Sequence, residues 1–99
     1  MNNGGVSLLA PGGQPAPANW SGGQGMLAVR GRLDGATVQL EWSPDADTEP
    51  VPVGEPMLAA DRLGDAFDVP AGLLRVRFTG RTPETYISAD AFPVPRSML

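Results

Sequence analysis

The side chains that most often carry chemistry are missing from this sequence, which contains no His, no Lys and no Cys. What remains is seven basic residues, all of them Arg (Arg30, Arg32, Arg62, Arg75, Arg77, Arg81 and Arg96), and eleven acidic ones. Without Cys there is no thiolate nucleophile, no disulfide framework and no Cys-based metal site. Without His or Lys, general acid–base work near neutral pH and the activation of a serine lose their usual bases. Carboxylate pairs are left, and no acidic residue sits in an apolar run that would raise its pKa. The expectation is a protein that is not an enzyme and uses no cofactor.

Three short motifs invite a function and fail on context. Residues 23–28, Gly-Gln-Gly-Met-Leu-Ala, spell a dinucleotide-binding pattern, but that pattern works between a strand and a helix, and here it opens a strand. Residues 45–49, Asp-Ala-Asp-Thr-Glu, space three carboxylates as a calcium loop does. The sixth place has no Gly, however, and Pro56 stands where a bidentate Glu belongs, so a solvated turn is expected and no metal. Asn19-Trp20-Ser21 is a glycosylation sequon by spelling alone.

The arginines carry more. Arg30 and Arg32 alternate on one strand, and Arg75 and Arg77 alternate on another with the same parity. Two readings stand. One is a solvated face on which Arg30 reaches Glu41 across a hairpin, a pair that contributes some tenths of a kcal/mol. The other is an Arg-rich contact face for an acidic partner. A formal charge of −4 argues against a dedicated nucleic-acid binder.

The elements that must position these residues are short strands. Asp34-Gly35 lies between two alternating apolar runs, and Asp-Gly suits a two-residue type I′ turn in which both central residues take φ > 0. The spacing predicts a hairpin in which Leu33 meets Ala36, Gly31 meets Val38, Val29 meets Leu40 and Leu27 meets Trp42, with Ala28, Arg30, Arg32, Thr37, Gln39 and Glu41 on the opposite face. Downstream, Val51 and Val53 alternate with prolines as an edge strand would, and residues 56–63 fit either a strand or one helical turn. Pro70 and Gly72 suit a type I turn leading into a second hairpin arm, where Leu74, Val76 and Phe78 point inward. In residues 86–92, Ile87, Ala89 and Ala91 form the inward face. No window of ten residues keeps a helical period, and six or seven short strands punctuated by Gly and Pro read as one small antiparallel β-sandwich, immunoglobulin-like or jelly-roll. The expected core is Leu27, Val29, Leu33, Val38, Leu40, Trp42, Val53, Phe67, Val69, Leu74, Val76, Phe78 and Ile87.

The ends are of other material. Residues 1–24 are rich in Gly and Pro, carry no charged side chain, and hold one short apolar segment around Val6, Leu8 and Leu9. Such a stretch buries too little alone to offset its backbone entropy, so it reads as a disordered tail or as an arm that orders on a neighbour. The division expected is an extended arm over 1–24, a sandwich over 25–92 and a Pro-rich, extended C-terminal tail over 93–99. Val6, Leu8, Leu9 and Trp20 would anchor the arm on a partner, and removal of residues 1–24 would leave the body folded. The start of the chain has neither the basic region of a signal peptide nor the length of a membrane span, so no membrane is expected. The core of a domain this small is modest, which makes a homo-oligomer or other partner unsurprising.

Two stretches, GATVQLEWSPDADTEPVPVG and DVPAGLLRVRFTG, resemble small β-sandwich virion proteins of tailed bacteriophages. In that group a strand ending in Ser-Pro-Asp leads through a polar turn to a Val-x-Val-Gly strand, and Pro-Ala-Gly heads an arm containing Arg. The resemblance implies a virion structural protein made in the host cytoplasm, a capsid decoration or cement protein that binds the major capsid protein or other virion subunits. It also leaves open a tail or fibre module for adhesion to host glycan. For the glycan, Trp20, Tyr86 and Phe92 are the candidate aromatics.

Overall fold

The computed structural model describes residues 5–10, 13–58, 62–63 and 66–94. Among these residues there are nine strands and no helix: β1 (Val6–Ser7), β2 (Ala18–Trp20), β3 (Gly23–Arg32), β4 (Thr37–Ser43), β5 (Val51–Pro52), β6 (Arg62–Leu63), β7 (Phe67–Val69), β8 (Gly72–Thr79) and β9 (Tyr86–Pro93). They make two antiparallel sheets. In the first, β9 lies between β1 and β3, and β6 and β7 follow one another along the far edge of β3. The second runs β2, β8, β4, β5.

The strands flanking Asp34-Gly35 do not pair with each other, which corrects the expected hairpin. The turn itself forms as its residues demand: Asp34 and Gly35 have φ of 50° and 86°, and the Ala36 N–H donates to the Leu33 carbonyl at 3.0 Å. Beyond it the strands part. β3 pairs with β9 from Gly25 opposite Pro93 to Arg32 opposite Tyr86, while β4 pairs with β8 from Thr37 opposite Thr79 to Ser43 opposite Leu73. The apolar alternation is the same for a hairpin and for two strands facing each other from different sheets. The second arrangement wins because each apolar face then covers the other, and Leu33 and Ala36 close the end of the core beneath the turn, both buried.

Size complementarity marks the pairing of β3 with β9. Along β3 and β9, Leu27 faces Ala91, Val29 faces Ala89 and Gly31 faces Ile87, a larger residue always opposite a smaller one. Along β4 and β8 the pairs are Val38 with Phe78, Leu40 with Val76 and Trp42 with Leu74. The Pro70-Ala71 turn likewise joins different sheets, β7 in the first and β8 in the second, so the second expected hairpin is also a crossing. The loop after β8 returns to the first sheet and is tied to the Asp34 turn. There the Thr82 hydroxyl donates to the Asp34 carboxylate at 2.6 Å and the Thr85 hydroxyl to the Leu33 carbonyl at 3.0 Å.

The described part of residues 1–24 belongs to the body. β1 pairs with β9, β2 pairs with β8, Leu8 is wholly buried, and the Leu8 N–H donates to the Ala89 carbonyl at 2.9 Å. Trp20 is buried against Phe67, their ring centroids 5.3 Å apart, and it passes so close over Gly25 that a Cβ there would lie 2.7 Å from the indole. Leu8 and Trp20, expected as anchors on a partner, fill this chain's own core; Val6 and Leu9 pack against that core, half-buried. At the other end Pro93 closes β9, and the Val94 N–H donates to the Gln24 carbonyl at 3.1 Å. The rest of the expected tail, with Arg96, lies outside the described residues.

Of the expected core, Trp42, Val53, Val69 and Phe78 are only partly buried, while Leu8, Trp20, Ala36, Met57, Ala89 and Ala91 join it. Met57 exchanges both backbone hydrogen bonds with Val38, so the ambiguous stretch begins as a strand beside β4. The indole N–H of Trp42 donates to the Pro70 carbonyl at 2.9 Å and the ring covers Gly72, where a Cβ would lie 2.7 Å from the indole nitrogen.

Leu8→Ala should cost about 2–5 kcal/mol through the cavity it leaves. Urea unfolding followed by tryptophan fluorescence measures it, and a chain lacking residues 1–24 should show no cooperative transition.

Candidate functional site

The chemistry available on this scaffold gathers on the outer face of the second sheet. Glu41 sits on β4 with a face-outward parity, opposite Arg75 of β8, while Arg77 lies opposite Gln39. Cross-strand neighbours on one face are close enough to bond, and both arginines turn onto Glu41. The Arg75 Nε is 3.0 Å from one carboxylate oxygen and the Arg77 Nε is 3.4 Å from the other. Between them they cover the carboxylate, whose side chain is 7% exposed although it points away from the core. A charge so shielded is tolerable because it is paired twice.

Below this cluster β8 ends near a third arginine. The guanidinium carbon of Arg81 lies 4.8 Å from the centre of the Phe78 ring, a cation–π contact that holds the loop residue over the strand. Arg75, Arg77 and Arg81 thus line one groove of about 330 Å3, together with Val76, Phe78 and the prolines Pro15 and Pro17. Arg81 and Phe78 also border a second groove of about 470 Å3, whose other wall is Leu9, Tyr86 and Ile87.

The expected contact residues are therefore split. Arg75 and Arg77 project from the second sheet; Arg30 and Arg32 are exposed on the first, on the opposite side of the molecule. They cannot form one face. Arg30 does not reach Glu41, which lies in the other sheet, and Arg32 approaches Asp34 at 3.9 Å. Of the candidate aromatics Tyr86 is 81% exposed, but Trp20 is buried and Phe92 half-buried, so they form no cluster. Nothing in the sequence except its charge singles out Arg81; the contact that places it needs Phe78, three residues earlier, near the end of β8.

The acidic loop is organised by its own hydrogen bonds. One oxygen of Asp45 accepts from the Thr48 hydroxyl and from the Asp47 N–H, each at 2.9 Å. The Thr48 hydroxyl, then the Asp47 amide, hold the Asp45 carboxyl below the usual aspartate range. Among the described residues no three acidic side chains come together as a metal site would require. Comparison with protein-family models, with curated proteins and with solved structures finds no match.

Arg75→Ala leaves the shielded Glu41 with one partner and should destabilise the fold by about 1–3 kcal/mol in urea unfolding, against about 0.5 kcal/mol or less for the exposed Arg30→Ala. Because the folded pKa of Asp45 is depressed, the loop's hydrogen bonds favour the fold above the unfolded aspartate pKa and are lost as pH falls through the lowered value. Carboxyl-detected NMR titration should show Asp45 moving up towards the ordinary aspartate value in Thr48→Ala.

Proposed function

We propose that this chain is a jelly roll acting as a non-enzymatic structural protein of a tailed-bacteriophage virion, a decoration or cement protein that binds the shell through the arginine face of its second sheet. The observation that carries the reading is the strand order. With β6 and β7 counted as one strand along β3, the sheets run first–last–third–sixth and second–seventh–fourth–fifth, the double Greek key common in viral capsid and lectin domains. Fold alone does not assign function, and two further observations support the proposal. The matching sequence words fall in β4, β5, β7 and β8, so the resemblance to virion proteins lies largely in the sheet that bears Arg75 and Arg77. A cationic face on a chain of net charge −4 is also suited to orienting an acidic partner.

Attachment through such a face couples to assembly: copies arrayed on a shell meet one another, and a homo-oligomer at the shell's symmetry axes is part of the proposal. A second reading, adhesion to host glycan, is favoured by the groove between Tyr86 and Arg81, since an exposed ring beside a guanidinium suits a sugar bearing a carboxylate.

Mass spectrometry of purified particles should find the chain at a copy number comparable with the capsid protein, and its rebinding to stripped shells should weaken as salt rises. Absence from particles defeats the proposal; saturable binding to an acidic glycan array with no binding to shells selects the second reading.

A further inference from the structure

The strand β8 is paired unequally on its two sides. β4 accompanies it from Leu73 to Thr79, but β2 pairs with it only from Gly72 to Leu74. Past Ala18 the preceding chain turns away to the first sheet, where the Ala16 N–H donates to the Leu8 carbonyl at 3.0 Å and Pro15 bridges Leu9. Among the described residues nothing hydrogen-bonds the second edge of β8 between Arg75 and Thr79, and the groove of about 330 Å3 runs alongside it. An antiparallel strand directs the N–H and C=O of every second residue to each side, so this edge offers donors and acceptors to the groove.

Open edges are usually blunted. The opposite edge of this sheet is: Pro50 precedes β5 and Pro52 lies within it, while Val53 turns its N–H to the Leu40 carbonyl. β8 has no proline from Gly72 to Thr79. Instead it is flanked by Arg75, Arg77 and Arg81, against which, among the described residues, stands one carboxylate, Glu41. Like charges repel a second copy of this same edge and favour an acidic strand.

We propose that this edge takes an extended acidic segment of the partner protein as an added strand, with acidic side chains at alternate positions. The parity sets the pattern. Positions of the incoming strand on the outer face meet Arg75 and Arg77, and those between them face Val76, Phe78 and the two prolines, so the segment alternates acidic with small apolar residues. Backbone bonds supply the attachment and the arginines the selection. A polyanion without a peptide backbone satisfies only the second.

The proposal rests on the arginine face being the binding face, and its test needs no virion. The full chain is titrated with an acetylated, amidated peptide of alternating Glu and Val, with the same peptide N-methylated at alternate amides, with a peptide of alternating Lys and Val, and with a heparin fragment. Expected are saturable calorimetric binding of the Glu–Val peptide alone, slowed hydrogen exchange confined to Val76 and Phe78, whose N–H groups point away from β4, and about tenfold weaker binding in the double variant Arg77→Gln/Arg81→Gln. Equal binding of the N-methylated peptide or of heparin, or protection elsewhere, overturns strand addition. So does no binding of the Glu–Val peptide, an outcome that leaves the parent reading standing.

Discussion

The structure depends on one constraint: each of the long strands β3, β4, β8 and β9 finds its main partner far along the chain, while the long strand next to it in sequence faces it from the other sheet. The two ladders that carry the molecule, β3 with β9 and β4 with β8, join segments that are dozens of residues apart. Neither sheet can form without nearly the whole chain in place. This is why the described residues before β3, poor in charge and rich in Gly and Pro, are structural: they supply β1 and β2, and with them Leu8 and Trp20. Loop closure over such separations is entropically costly, and the return is a core whose two apolar faces cover each other.

The same constraint decides where the charges go. Had β3 and β4 paired, Arg30, Arg32 and Glu41 would share a face. Because they part at Asp34-Gly35, Glu41 instead meets Arg75 and Arg77, and the remaining arginines of β3 are carried to the far side of the molecule. A fold-level choice made at one turn thus creates both the shielded carboxylate and the cationic groove beside it.

Much of this is legible in the sequence, and the part that is not has a physical reason. Alternation correctly marks Leu27, Val29, Leu33, Val38, Leu40, Leu74, Val76 and Ile87 as inward, and the Asp-Gly pair correctly gives positive φ at both turn residues. Alternation is blind to partner identity, however, because a hairpin and a crossing between sheets bury the same residues. The one available signal is size along β3: the small inward residues Ala89 and Ala91 complement Val29 and Leu27. Leu8 and Trp20 were hidden by composition, since a Gly/Pro-rich stretch looks unable to fold when its partners are out of view. The arginines were visible as residues; their grouping was not, since it follows from the pairing.

The division of β3 and β4 between two sheets is the claim on which the site stands, and interstrand NOEs in a uniformly labelled sample test it most directly. Expected are Hα–Hα and amide contacts linking β3 to β9 around Val29 and Ala89, and linking β4 to β8 around Leu40 and Val76, with none between Val29 and Leu40 across a ladder. A continuous ladder of NOEs from Leu33–Ala36 back to Leu27–Trp42 would contradict it, and the arginine groove with it.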